Sequence, residues 1–372
     1  MGAASELTVP AWVSDHMMLP TGRPCVLSGT ATPGATVTVE CANQKKSVIT
    51  DFSKHWKITL DPMPASSNLW NSLHESAGSF SKPWKLIISS TLNSELETLN
   101  FSNVLVGDTW LCSGQSNMAF PVRKSAEAGE IAAEVQAVDI RYFNGRSWIA
   151  VDESNVANLS AVAVSFAVEL AKRQQAPVGI WVAAKGGTGI DAWVPVSAFP
   201  DTESGIRLKP LATDPAVLKA AKEDAKDMRP WGKHRLYQWG LGRAVPASLY
   251  KKHILPFGDL PVRGVVWYQG EANAGSSDYD QWLTNLISAY RGLFKNPGLP
   301  VVVVQLPDYH EEGSEGRAKW IVTQQMQTSV AENTEFSELV DIKDLGELDD
   351  IHPRRKKEVG RRCADIAWML QN

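Results

Sequence analysis

Cysteine is scarce in this chain of 372 residues: there are four, Cys25, Cys41, Cys112 and Cys363, and no two stand in a C-x-x-C spacing. The seven His residues are scattered, with no H-E-x-x-H or comparable ligand pair. Neither a zinc site nor a disulfide scaffold is written here, and no metal or organic cofactor is expected. Long apolar runs are missing too. The longest, Ala161 to Ala171, is interrupted by Ser165 and Glu169 and falls well short of the roughly 20 residues a bilayer requires, so no membrane span is expected. Positive charge is not in excess: 37 Lys and Arg stand against 41 Asp and Glu, and the longest basic run is Arg354 to Lys357. Nucleic acid is thereby excluded as a main partner. Residues 1–6 show no charged segment followed by an apolar one. A cytosolic protein and a trimmed mature domain both begin in this way.

What is present is material for a sizeable core, with 44% hydrophobic and 21% charged residues, which excludes disordered, collagenous and coiled-coil classes. From about Pro20 to Phe101 the text consists of short runs rich in Val, Ile and Thr: Ala35 to Glu40, Ser47 to Thr50, Trp56 to Leu60 and Lys85 to Ser89. Turn clusters, Thr32-Pro33-Gly34 and Pro62 to Ser67, separate them. This pattern predicts a small all-β sandwich. After Asn103 the pattern changes. Strand-like runs at Val104–Val106, Gly179–Ala183, Gly264–Tyr268, Val301–Gln305 and Leu339–Ile342 alternate with amphipathic segments at Leu159–Gln174, Asp278–Phe294, Arg317–Asn333 and Arg354–Leu370. Such alternation predicts an α/β fold, a parallel sheet with helices on both faces. The expected division is a β-sandwich over residues 1–102 and a second domain over 103–372. The charged, Pro-containing stretch from Phe199 to Gly240 is expected to build a lid or pocket wall.

In an open parallel sheet, ligands bind beyond the carboxyl ends of the strands, so the residues just after each strand carry the chemistry. Four such places stand out. In Leu111-Cys112-Ser113-Gly114-Gln115-Ser116-Asn117-Met118, the hydroxyl of Ser116 is either a nucleophile with its own N–H beside a developing oxyanion or a helix N-cap. Ala183 to Gly189 holds a Gly-rich turn that brings backbone N–H groups close to a ligand, without the Lys-Ser/Thr pair of a phosphate loop. Trp267 to Asn273 ends a strand in amide and carboxylate groups, which form either an internal network or a site. In Asp349-Asp350-Ile351-His352, the D-x-x-H spacing lets Asp349 fix the tautomer of His352, making it a general base for Ser116 with a pKa at or above the ordinary imidazole value. The two acids have a second reading, as charges that complement a helix N-terminus.

The runs GDTWLCSGQSNM (Gly107–Met118), GGTGIDAW (Gly186–Trp193), WYQGEAN (Trp267–Asn273) and DDIHPRRKKEVGRR (Asp349–Arg362), with the opening Ser14 to Leu19, resemble the sialate O-acetylesterase family of SGNH hydrolases. These motifs span nearly the whole chain. Where family members commonly read Leu-Tyr-Asn-Gly-Met-Ile, this chain has Leu249-Tyr250-Lys251-Lys252-His253-Ile254. The resemblance implies a flavodoxin-like SGNH domain with Ser116 as nucleophile, His352 as base and Asp349 as acid. It implies an oxyanion hole of Ser116 N–H, Gly187 N–H and Gln269, with Asn273 as the alternative to Gln269.

The implied activity is cofactor-free removal of O-acetyl groups from sialic acid through an acyl-enzyme. Deacetylation of xylan or another polysaccharide by the same apparatus is a second reading. A carbohydrate-binding protein with an inactive hydrolase domain is a third, against which the intact Ser116 and His352 argue. The implied partner is an acetylated sugar or glycan, and the implied location is secreted or periplasmic. Lys185, Lys251 and Lys252 are either carboxylate partners or solvated charges. Trp110, Trp193, Trp231, Trp239 and Trp267 are either sugar platforms or core.

Overall fold

One long strand organises the chain. In the computed structural model, which describes residues 6–66, 83–226 and 244–372, seven strands come first: β1 (Met18–Pro20), β2 (Cys25–Thr30), β3 (Thr36–Cys41), β4 (Gln44–Ile49), β5 (His55–Leu60), β6 (Trp84–Leu92) and β7 (Glu95–Gly114). The β-rich runs read from the sequence lie on β3 to β6, and β2 joins them. β3 pairs antiparallel with β4 and β6, β6 pairs antiparallel with β7, and β2 and β5 form a separate antiparallel pair. Alternation drives this arrangement: Val37, Val39 and Cys41 on β3 and Trp56, Ile58 and Leu60 on β5 point into one shared core while their neighbours face outward.

β7 then changes partners without a break. Its first part pairs with β6, and from Leu105 onward it runs parallel to β1 and then to β10 (Val178–Ala184) and β11 (Val262–Tyr268). Asn103 marks the change with a left-handed φ of 55°, a conformation Asn tolerates better than most residues. The junction expected between residues 102 and 103 therefore lies inside a single strand.

The remaining strands are β8 (Ile140–Phe143), β9 (Trp148–Ala150), β12 (Val301–Val304) and β13 (Ser337–Val340). The sheet order is β13-β12-β11-β7-β10-β8-β9, parallel throughout except for the edge strand β9. Both faces are covered, and the side chains divide by the period of two. Trp110, Cys112, Ile180, Val266, Tyr268 and Val302 enter a core with α2 (Ala161–Gln174) and α7 (Lys356–Gln371). Leu111, Trp181, Val265, Trp267 and Val301 enter the opposite core with α5 (Tyr279–Leu293) and part of α6 (Glu315–Asn333). These four helices begin and end within about two residues of the segments expected from periodicity. The short strands β8 and β9 went unread in the sequence. The stretch from Phe199 onward forms α3 (Glu203–Thr213) and α4 (Pro215–Lys226), after the short α1 (Ala128–Glu134). The rest of that expected wall, from residue 227 to 240, lies outside the described residues.

α2 and α7 touch through Gly360. A Cβ built there would lie 2.6 Å from Ser165 Cβ and 2.7 Å from both Phe166 N and Val162 O. An alanine normally strengthens a helix interior by about 1 kcal/mol over glycine. Here the obstacle is backbone that cannot rotate away, so Gly360→Ala is expected to destabilise by about 1–3 kcal/mol, read as a lower urea midpoint at unchanged slope.

Candidate active site

The parallel register puts three strand ends at one level. Gly114, the last residue of β7, pairs with Ala184 of β10 on one side and Tyr268 of β11 on the other. Gly114 has φ 140°, and a Cβ there would stand 2.0 Å from the Tyr268 carbonyl oxygen. Only glycine permits this approach. The ladder continues one step, with Gln115 N–H donating to Tyr268 O and Lys185 N–H to Gly114 O, both at 3.1 Å. Ser116, Gly186–Gly187 and Gln269 consequently converge above the centre of the sheet. Ser160, the N-cap of α2, pins the turn that carries Ser116. Its Oγ accepts from Ala163 N–H at 3.1 Å and donates to Met118 O at 2.6 Å.

His352 arrives from the far side of the sheet, on the loop between β13 and α7. Arg362 of α7 grips Asp344 with two contacts of 2.6 and 2.7 Å. Arg354 donates to Glu347 and to Lys124 O at 2.9 and 3.1 Å. Held in this way, His352 Nε2 lies 2.8 Å from Ser116 Oγ, and both residues are part-exposed. The Phe120 ring stacks over the imidazole at 6.5 Å.

The carboxylate facing the imidazole is that of Asp350, not Asp349. Asp350 Oδ1 accepts the His352 backbone N–H at 2.8 Å and lies 3.9 Å from Nδ1. The Asp349 side chain is exposed and has no hydrogen-bond partner among the described residues. Asx-turn geometry explains the correction to the sequence expectation: an aspartate two residues before a peptide N–H folds back onto it, carrying its carboxylate inward and turning its neighbour out. Burial is the main influence on the His352 pKa and lowers it below the ordinary 6.5; Asp350 opposes, while Lys356 and Lys124 add to the lowering. The rise expected from a paired carboxylate is outweighed.

The glycine turn abuts Ser116. A Cβ on Gly186 would lie 3.2 Å from Ser116 Cβ, and Gly187 has φ 70°. Among the described residues, neither the Ser116 nor the Gly187 N–H donates to a protein acceptor. Gln269 stands at the expected strand end but is fully buried, and its amide nitrogen faces Asn273 Oδ1 at 2.7 Å and Thr188 O and Gln115 Oε1 at 3.2 Å. Two amide hydrogens facing three internal acceptors leave Gln269 no donor for a ligand. Asn273 is held through Oδ1 by Ile190 N–H at 3.0 Å and by Gln269. Its Nδ2 has no protein acceptor among the described residues.

Beneath the serine runs a chain that sequence reasoning missed. Lys356, 0% exposed, donates to Asn117 Oδ1 at 2.6 Å. Asn117 Nδ2 in turn donates to Glu271 Oε1 at 2.5 Å and to Ile351 O at 3.0 Å. Burial pulls the Lys356 ammonium down to about 7 and raises the Glu271 carboxyl. Glu271 had been read as network or site, whereas Lys356 sits in the longest basic run, where nothing separates a buried lysine from solvated ones. Trp110, Trp193 and Trp267 are wholly buried and are core, not sugar platforms. Trp231 and Trp239 lie outside the described residues. Lys185, Lys251 and Lys252 are exposed, and Lys252 and Lys185 both act on the His253 imidazole. All four cysteines are free and buried, and no helix among the described residues is long and apolar enough to cross a membrane.

Known proteins resemble this chain. Sialate O-acetylesterase of Rattus norvegicus is 27% identical over 331 residues, covering 79% of this chain and 57% of its own length. Sialate O-acetylesterase of Mus musculus is 26% identical, covering 95% of this chain and 71% of its own. This chain thus spans between about half and three quarters of those relatives. A crystal structure of a carbohydrate acetylesterase from Xanthomonas citri superposes with a TM-score of 0.74 at 24% identity, over 98% of this chain and 74% of that one, a likeness of fold. Residues 106–369 match the family described as carbohydrate esterase, sialic acid-specific acetylesterase, and they include Ser116, Gly187, Asn273 and His352; the chain belongs to that family.

Proposed function

We propose that this protein hydrolyses O-acetyl esters of sialic acid through an acyl-enzyme on Ser116. The observation that carries the reading is the 2.8 Å contact between Ser116 Oγ and His352 Nε2 beyond the carboxyl end of the central strand. Neutral His352 takes the hydroxyl proton as Oγ attacks the acetyl carbonyl. The N–H groups of Ser116 and Gly187 receive the oxyanion, with Asn273 Nδ2 in better position than Gln269 to be a third donor. The His352 imidazolium returns the proton to the departing sugar oxygen. Water activated by the same imidazole then frees acetate and restores Ser116. Asp350 stabilises the transient imidazolium from the Nδ1 side. Exposed Lys185 and Lys252, beside the glycine turn and His253, supply positive charge suited to the sialate carboxylate.

Residues 103–372 act, in this reading, as an SGNH-type catalytic domain, because every proposed catalytic group falls there. The strands before residue 103 serve as an accessory sandwich bound to it through β7. The deciding measurement is acetate release from O-acetylated sialic acid and from acetylated xylan in parallel. Preference for the sialate supports the proposal, and preference for xylan replaces its substrate.

Ser116→Ala is expected to lower turnover by about 10^4-fold or more while the fold persists, measured as kcat on p-nitrophenyl acetate beside the circular dichroism spectrum. Since only neutral imidazole accepts the proton and burial lowers the His352 pKa, the acidic limb of kcat/KM is expected to have its midpoint below 6.5, extending activity toward acid. A midpoint above 6.5 would show that the carboxylate dominates. Asp350→Asn keeps the acceptor for His352 N–H but removes the charge, and is expected to cost at least about tenfold in kcat/KM, less than the roughly 10^4-fold seen where a carboxylate bonds the imidazole directly. Asp349→Asn should stay within about twofold.

A further inference from the structure

A charged side chain seldom lies fully buried unless something is gained, because removing an ammonium from water is costly. Lys356 does so at the first turn of α7, where a positive charge also meets the unfavourable end of the helix dipole. Direct pairing with Glu271 does not explain its placement, since the two are joined only through Asn117. Asn117, the residue after the proposed nucleophile, stands between them with both amide hydrogens and its amide oxygen engaged. Its Oδ1 accepts from Lys356, and its two N–H groups go to Glu271 and to the Ile351 carbonyl, the peptide immediately before His352. Asn117 thus joins the residue after Ser116 to the residue before His352, and Lys356 decides which way its amide faces. With Lys356 donating to the oxygen, the amide nitrogen must face Ile351. The Phe120 and Tyr268 rings sandwich the ammonium at 5.3 Å each, so it has no room to leave.

We propose that Lys356 is a positioning residue of the esterase: by orienting Asn117 it ties the nucleophile turn to the His352 loop and holds Ser116 Oγ and His352 Nε2 at bonding distance. The inference rests on the Ser116–His352 reading above. A second consequence is electrostatic. The groups acting on Lys356 are Glu271 through Asn117, Asp350 and Glu347 on the His352 loop and Glu127 before α1, with the Tyr268 phenol at the neighbouring ring. Those acting on His352 are Asp350, Lys356 and Lys124. Loss of the Lys356 charge removes a cation that disfavours imidazolium, so the acidic limb moves to higher pH.

The test compares wild type, Ser116→Ala, Lys356→Met and the double variant Lys356→Met/Glu271→Gln on p-nitrophenyl acetate across pH, with thermal melts. Lys356→Met is expected to lower kcat by about 10- to 100-fold, as small misplacements of reacting groups do, with KM within about twofold and the acidic midpoint raised. It also strands Glu271, so its Tm falls. The double variant removes both charges and is expected to recover Tm, while kcat stays low and the midpoint stays raised. A purely structural role predicts that kcat returns with Tm. That result, or an unmoved midpoint and wild-type kcat in the folded double variant, overturns the proposal. Wild type without turnover, or Ser116→Ala with it, overturns the nucleophile reading instead.

Discussion

The site depends on the register of three parallel strands. Gly114, Ala184 and Tyr268 end at one level because β7 lies between β10 and β11, in unbroken register with β10 from Asp108 to Gly114 and with β11 from Trp110 to Gly114, and the earlier part of β7 is held by β6 and β1. A slip of one residue would exchange the two faces of the sheet. It would send Leu111 and Trp267 into the α2–α7 core, and Cys112 and Tyr268 into the other. The apolar cores therefore enforce the same register that brings Ser116, Gly187 and Gln269 together. Packing and the placement of the site are set by one constraint, and the glycine at position 114 leaves room for the Tyr268 carbonyl where a side chain would not.

Burial of polar groups then determines which side chains stay open to solvent. The Gln269 amide nitrogen, the Thr188 hydroxyl and carbonyl, Gln115 Oε1 and the Asn117 amide all bond inside the protein, which rigidifies the frame. Gln327 adds to it by donating to the Gln269 carbonyl at 2.9 Å, and Tyr279 does so at 2.8 Å. Ser116 and His352 remain part-exposed, each with a function left open. In the proposed reaction this pair needs a rigid surround, because a reacting geometry tolerates little error. Lys356 and Glu271 belong to that surround, at an electrostatic cost visible in the directions of both their pKa shifts.

The long amphipathic helices were legible because their apolar period is local information, readable within fifteen residues. The buried strands were legible for the same reason, as runs of Val, Ile and Trp. β8 and β9 are four and three residues long, too short for a period to register, and they exist because β10 offers β8 an edge to pair with. The continuous β7 was equally invisible. Its change of pattern near Asn103 looks like a boundary in one dimension but is a change of partner in three.

The sequence by itself determined the fold class, the four strand-end motifs and the pairing of Ser116 with His352, since each rests on residue type and order along the chain. Tertiary structure alone decided which aspartate faces the imidazole, because Asp349 and Asp350 differ by one residue and only the folded turn selects between them. It alone decided that the Gln269 amide faces inward, that three tryptophans are core, and that one lysine of a basic run is buried. Each of these depends on what a side chain meets from distant parts of the chain or across a turn, and neither composition nor spacing encodes that meeting.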